Sequence, residues 1–127
     1  MKLAIGAAII ENRKLLLVRK KQTWILPGGK PEANESDLEC LCREVREELS
    51  GTELQNISYY SEFEGITPYK GYLLKARVYL ASIEGGLHAS SAEIDASEWV
   101  DADNANKYNL SDITLKILNS LIKDDYI

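Results

Sequence analysis

Apolar and polar positions change their period several times along the chain, and each change marks an element. Leu3 to Ile10 and Leu15 to Arg19 are apolar runs separated by Glu11-Asn12-Arg13-Lys14, the pattern of two strands joined by a polar four-residue connection. Trp24-Ile25-Leu26 predicts a third short strand, stopped by Pro27-Gly28-Gly29. Pro27 removes a ladder donor, and the glycines open backbone angles closed to other residues. From Glu35 to Ser50 the period becomes helical, with Leu38, Leu41, Cys42, Val45 and Leu49 on one stripe. The early acids Glu35, Asp37 and Glu39 suit the positive end of the helix dipole, and Gly51 is a natural stop.

Tyr59 to Glu64 and Tyr72 to Ile83 read as strands, the second alternating Tyr72, Leu74, Ala76, Val78 and Leu80 on one face, with Gly65 to Gly71 as the loop between them. After Gly85-Gly86 a polar stretch runs to Ser97, followed by a short strand around Trp99-Val100. A second helix is predicted from Ser111 to Lys123, burying Ile113, Ile117, Leu118, Leu121 and Ile122. Strands mixed with one central and one terminal helix predict an α/β fold, a mixed sheet covered by helices on both faces, with the strand order left open.

Composition narrows this picture. The 127 residues fit one domain, 1–127, and 45% hydrophobic with 28% charged residues is ordinary for a globular chain. With 15 Lys+Arg against 20 Asp+Glu the net charge is -5, which argues against nucleic acid as a partner. The N-terminal apolar run is too short to span a bilayer and lacks a cleavage region, so no membrane partner is expected. Cys40 and Cys42 are two apart on a helix and point to different faces, which makes a reducing, cytoplasmic setting the expectation.

The chemistry is suggested by the acids of the first helix. Glu44, Glu47 and Glu48 stand at i, i+3 and i+4, so their carboxylates fall within one turn. Like charges so spaced destabilise a helix by roughly 0.2–0.5 kcal/mol per pair, and Arg43 and Arg46 offset this only in part. Such a face is either simply solvated or holds a hard divalent cation, since Mg²⁺ is typically bound by one or two carboxylates with substrate phosphates and waters.

The residues before the helix favour the cation. Trp24-Ile25-Leu26-Pro27-Gly28 leads into Gly29, then Glu35 six positions on, then Arg43-Glu44-Val45-Arg46-Glu47-Glu48. This box, residues 29 to 51, resembles the signature of the Nudix hydrolases, and the flanking strands extend the likeness to the whole domain. It departs at the end, where Ser50 and Gly51 stand in place of a glycine and an apolar residue, so the helix is expected to run one residue longer. The resemblance implies a Nudix-like α/β/α sandwich and metal-dependent hydrolysis of a diphosphate linkage in a nucleoside diphosphate derivative or a nucleoside triphosphate. It implies Mg²⁺, with Mn²⁺ as a substitute, and a small-molecule nucleotide as substrate. Glu47 and Glu48 would be the main metal ligands, Glu44 a further ligand or water-orienting group, and the Gly28 carbonyl a backbone ligand. Glu35 would pair with Arg43 to fix the loop against the helix.

The catalytic set so implied is Glu44, Arg43 and Glu93. Glu93 lies six residues before Trp99, a separation at which some members of the family carry a general base. Arg19 matches a basic position that touches substrate phosphate in some members, and Gly29 and Lys30 lie beside it on the substrate side. Tyr59, Tyr60, Phe63, Tyr69 and Tyr72 flank the loop after the helix and offer faces for stacking a base. His88 sits in a polar stretch and alone makes no triad or zinc site. The alternative function, a non-catalytic nucleotide sensor on the same fold, is disfavoured because such modules lose box glutamates and this chain keeps all four.

Overall fold

The computed structural model describes residues 1–67, 70–89 and 94–127. The two leading apolar runs form β1 (Lys2–Glu11) and β2 (Lys14–Lys20), with Glu11 paired to Lys14. The connection is therefore two residues, Asn12 and Arg13, at φ 52° and 60°, not four. A two-residue turn with both central residues left-handed matches the twist of the strands it joins. Lys21 and Gln22, at φ 49° and 67°, turn the chain the same way into β3 (Thr23–Ile25). Gly28–Gly29 then forms a two-residue strand, β4, laid antiparallel on β1 with Gly6 opposite Gly28 and Ile5 opposite Gly29.

The first helix, α1 (Asp37–Glu48), starts on a reciprocal cap in which the Ser36 hydroxyl accepts from Glu39 N–H and the Glu39 carboxylate accepts from Ser36 N–H. It ends at Glu48 rather than running longer, because Leu49 leaves helical geometry at φ -128°. β5 (Leu49–Ile66) begins there and pairs antiparallel with β6 (Leu73–Ala89). Both strands are much longer than the sequence suggests. The polar stretch Ser50 to Ser58 carries no clean alternation, since register shifts between Ser50 and Thr52 and between Gln55 and Ser58 interrupt its period. Nor does Gly85-Gly86 end β6, whose backbone continues through His88 opposite Ser50. β7 (Ala96–Val100) and α2 (Asp112–Lys123) complete the chain.

The strands run β3-β2-β1-β6-β5, with β4 also on β1 and β7 also on β2; β1 and β6 are parallel and the other pairs antiparallel. The mixed sheet is covered on both faces. Ile5, Ala7, Ile9, Leu16 and Val18 pack under α1, while Ala8, Leu15 and Leu17 point the other way under α2. That division explains why β1 and β2 are continuously apolar rather than alternating. Among the described residues no helix is long and apolar enough to cross a membrane.

The helices bury slightly different stripes from those expected. On α1 the buried residues are Cys40, Leu41, Val45 and Glu48, whereas Leu38 is 46% exposed and Cys42 only half-buried. The helix is rolled so that Cys40 and Glu48 meet β4, and the acids flank the buried stripe instead of lying on a separate solvated face. On α2, Thr114 joins Ile113, Ile117, Leu118 and Leu121 inside, its hydroxyl satisfied by Ser111 Oγ at 2.7 Å, and Ile122 is left partly covered.

Candidate active site

Gly28 and Gly29 decide how closely loop and helix approach. A Cβ on Gly28, which sits at φ +146°, would lie 2.1 Å from the Ile5 carbonyl oxygen, so only glycine fits between β4 and β1. A Cβ on Gly29 would lie 2.4 Å from the carboxyl carbon of Glu44. The Glu44 carboxylate therefore rests on the bare backbone of the loop. Beside it, Gly28 N–H donates to Glu48 Oε1 at 2.9 Å, and the Cys40 thiol faces the Gly29 carbonyl at 3.6 Å.

Arg43 ties the rest together. Its Nε and Nη2 donate to the two oxygens of Glu35 at 2.7 and 2.9 Å, so the pairing expected from the sequence forms, and forms bidentately. Nη1 reaches Glu44 at 2.9 Å and Glu47 at 3.3 Å, and Nη2 also donates to the Lys30 carbonyl at 3.3 Å. The hydrogen bonds from Arg43 and from Glu32 N–H hold the Glu35 carboxyl down at about 2. Glu44 moves the other way. Burial pushes its carboxyl above the ordinary value, and Arg43 and Lys20 oppose that push only in part. Burial likewise lifts the Cys40 thiol to about 11, so it is a packed neutral group rather than a nucleophile.

Glu44, Glu47 and Glu48 line one cleft of about 530 Å³. Among the described residues no three acidic, histidine or cysteine side chains are drawn together as a ready-made metal cage. Arg43 Nη1 instead bridges Glu44 and Glu47. The donor set still suits a hard cation of the Mg²⁺ type, which takes few carboxylates and completes its shell with phosphate oxygens and water. A half-buried carboxylate such as Glu44, raised above its ordinary pKa next to two more acids, is a site that a cation relieves.

Lysines face the acids: Lys20, Lys21, Lys30 and Lys70 all line the cleft. Arg19 is not among the lining residues. Its Nε donates to Asp95 Oδ1 at 2.7 Å and its guanidinium lies 5.7 Å from the centre of the Trp24 ring. Of the expected base-stacking rings, Tyr72 lines the cleft, held by Lys30 Nζ, which donates to its hydroxyl at 3.1 Å. Tyr60 and Phe63 pack beneath α2, and Tyr59 lies against Tyr79, ring centres 5.5 Å apart. Glu93 and Tyr69 lie outside the described residues.

The far wall was not legible in the sequence. Ile66 at the end of β5 and Thr67 just after it, together with Ser111 at the cap of α2 and Ile113, Thr114 and Ile117 on it, close the cleft opposite the glutamates. They stand far from the box along the chain, and as a strand end and an apolar helix stripe they read as ordinary core. The one available signal was the Ser111 cap, which fixes where α2 begins.

A model of the NUDIX domain matches residues 1–121. The chain is 27% identical over 118 residues to a MutT-like protein of Streptomyces ambofaciens, covering 91% of this chain and 73% of that one. It is 30% identical over 124 residues to the m7GpppN-mRNA hydrolase of Saccharomyces cerevisiae, but spans only 13% of that longer protein. The crystal structure of the MutT Nudix hydrolase from Burkholderia pseudomallei superposes with a TM-score of 0.77 at 27% identity, over 93% of this chain and 95% of that one. With the box glutamates gathered on one cleft and the domain matched almost end to end, the chain belongs to the NUDIX domain family, as a Nudix hydrolase acting on phosphorus anhydrides.

Proposed function

We propose that the protein is a metal-dependent nucleotide pyrophosphohydrolase, cleaving a diphosphate linkage in a nucleoside diphosphate derivative or a nucleoside triphosphate with Mg²⁺, for which Mn²⁺ can substitute. One observation carries the reading: Glu44, Glu47 and Glu48 line the same cleft as four lysines, so acids for a cation face ammonium groups for phosphate. Family members of this kind work with divalent metals. Here Glu47 and Glu48 would be the principal ligands, with Glu44 and the Gly28 carbonyl beside them. The bound ion supplies neutralisation of the diphosphate and activation of a water.

The chain's own residues do the rest. Gly28 N–H fixes the Glu48 carboxylate, and Arg43 fixes Glu35, Glu44 and the Lys30 carbonyl in one frame, so loop and helix hold their spacing while substrate enters. Lys20, Lys21, Lys30 and Lys70 attract a substrate that a chain of charge -5 would otherwise repel. Proton removal from water falls to Glu93, with Glu44 as the rival, its raised pKa favouring proton acceptance. A cytoplasmic location suits the two free thiols, Cys40 and Cys42. The test is hydrolysis of a panel of nucleoside triphosphates and nucleoside diphosphate derivatives, read as phosphate or pyrophosphate release. Turnover with Mg²⁺ that disappears in excess chelator is the expected result; full activity in chelator, or none on any member of the panel, refutes the reading.

A further inference from the structure

The roll of α1 about its own axis decides where the box glutamates point. Successive helical residues turn by about 100°, so Glu44 and Glu48, seven and eleven positions beyond Asp37, lie within about 20° of it around the helix. The three acids stand in one line. Side-chain ends ride about 5–6 Å from the axis, and a roll of about 10° would therefore carry the Glu44 and Glu48 carboxylates by about 1 Å. Cys40, Leu41 and Val45 bury this side of the helix, but apolar burial has no direction and resists so small a roll poorly. Hydrogen bonds are directional and do resist it.

Both ends of the line are held, and by different strands. At one end Gly28 N–H of β4 holds Glu48 at 2.9 Å, and Glu44 rests against Gly29. At the other end the Tyr79 hydroxyl donates to Asp37 Oδ2 at 2.7 Å, and Arg77 Nη1 reaches the two Asp37 oxygens at 3.2 and 3.3 Å. Arg77 and Tyr79 stand two apart on β6 and so share one face of it. β1 lies between the two holds. Its Ile5 pairs with Gly29 on one side and with Arg77 on the other, and its Ala7 pairs with Tyr79 while donating its N–H to the Pro27 carbonyl at 2.9 Å. The sheet thus fixes one hold relative to the other. Each β6 side chain is also braced from β5 by the residue directly across: Tyr79 by the Tyr59 ring, centres 5.5 Å apart, and Arg77 by Glu62 at 3.4 Å. Asp37, Arg77 and Tyr79 do not line the cleft, so they are not placed to touch substrate.

We propose that Asp37, Arg77 and Tyr79 are positioning residues for the hydrolysis, a clamp on the roll of α1 that aims Glu44 and Glu48 into the cleft. The proposal rests on the metal-dependent reading for what those glutamates do there, but its first readout needs neither metal nor turnover.

The amide resonance of Gly28, followed by NMR in the full chain without metal, reports the bond to Glu48. Tyr79→Phe removes one hydroxyl, leaves the sequence of α1 intact and should shift that resonance. Asp37→Ala releases both partners and should shift it further. Tyr60→Phe is the control: it deletes a hydroxyl that donates to Asp124 Oδ2 at 2.6 Å, the same kind of bond at the end of the other helix. It should lower the melting temperature and leave the Gly28 resonance in place. With Mg²⁺ and a nucleotide that the parent hydrolyses, kcat should fall by about tenfold in Tyr79→Phe and by about 10²-fold in Asp37→Ala, the scale of a displacement of about 1 Å. KM should stay within about twofold, because the clamp does not meet substrate. The proposal is overturned if the Gly28 resonance stays in place in either folded variant, if Tyr60→Phe moves it as far, or if either variant keeps the parental kcat. A shifted resonance in variants of a parent that hydrolyses no nucleotide would refute the catalytic reading and leave the clamp on Glu48 standing.

Discussion

Gly29→Ala separates chemistry from folding at a single methyl group. The added Cβ would stand 2.4 Å from the Glu44 carboxyl carbon and 2.6 and 2.7 Å from its oxygens. Carbon atoms settle at about 3.5 Å, so the carboxyl must retreat by about 1 Å. That retreat is cheap for stability, because what moves is the far end of a flexible side chain and the backbone of Gly29 is not in the left-handed region. It is expensive for catalysis. A displacement of about 1 Å at a reacting group costs on the order of 10²-fold in rate, or about 2.7 kcal/mol of barrier. Gly28→Ala is the contrasting variant, since its Cβ meets the Ile5 carbonyl at 2.1 Å and the residue sits at φ +146°. The assay pairs steady-state phosphate release in Mg²⁺ with calorimetric melting. Gly29→Ala should keep a melting temperature near that of the parent and lose about 10²-fold in kcat, while Gly28→Ala should melt far lower. Parental kcat in Gly29→Ala, or a melting loss equal to that of Gly28→Ala, would refute the contact as a determinant of Glu44 placement.

Further outcomes follow from the same geometry. Glu48→Gln keeps an acceptor oxygen for Gly28 N–H, so melting should barely change while kcat falls by roughly 10²–10³-fold in steady-state assays. The Glu35 carboxyl is depressed from 4.5 to about 2, so the stability it contributes through Arg43 is complete above about 4.5 and is lost as pH falls through about 2. Melting curves should show Glu35→Gln clearly below the parent at neutral pH and the gap closing over that acid window; a gap independent of pH would exclude the ion pair as its source. Glu93→Gln should lower kcat by roughly 10²–10⁴-fold with little change in KM, and a loss confined to Glu44→Gln would transfer the base to Glu44.

What the sequence shows best is what local chemistry decides. The Arg43–Glu35 pairing and both helices follow from spacing, capping and period, and the structure contains them. The helix end was misread because Gly51 looked like a stop, while Leu49 already belongs to a strand, a choice made by the partner strand β6. Nothing in the neighbourhood of Arg19 along the chain reveals Asp95, 76 positions away, to which its Nε donates. The far wall of the cleft escaped notice for the same reason: Thr67 and Ile113 acquire meaning only when the sheet brings β5 up to α2.

The strand β5 starts beside Glu48 and ends beside Thr67, and both of those residues border the same small cleft. Eighteen residues fully extended would reach roughly 60 Å, several times the width of such a cleft, so the strand must curl back on itself. Gly51 at φ 79°, Asn56 at φ 55° and the register shifts at Gln55/Ser58 and Tyr59/Ser61 mark where it curls. The strand therefore works as a calliper whose two tips stand on opposite walls of the cleft, the glutamate side and the α2 side. Its opening is set by residue count and not by any side chain that meets substrate. Deleting one residue at Asn56 would invert which side chains beyond it face inward, and so would move the specificity of the enzyme without touching its chemistry.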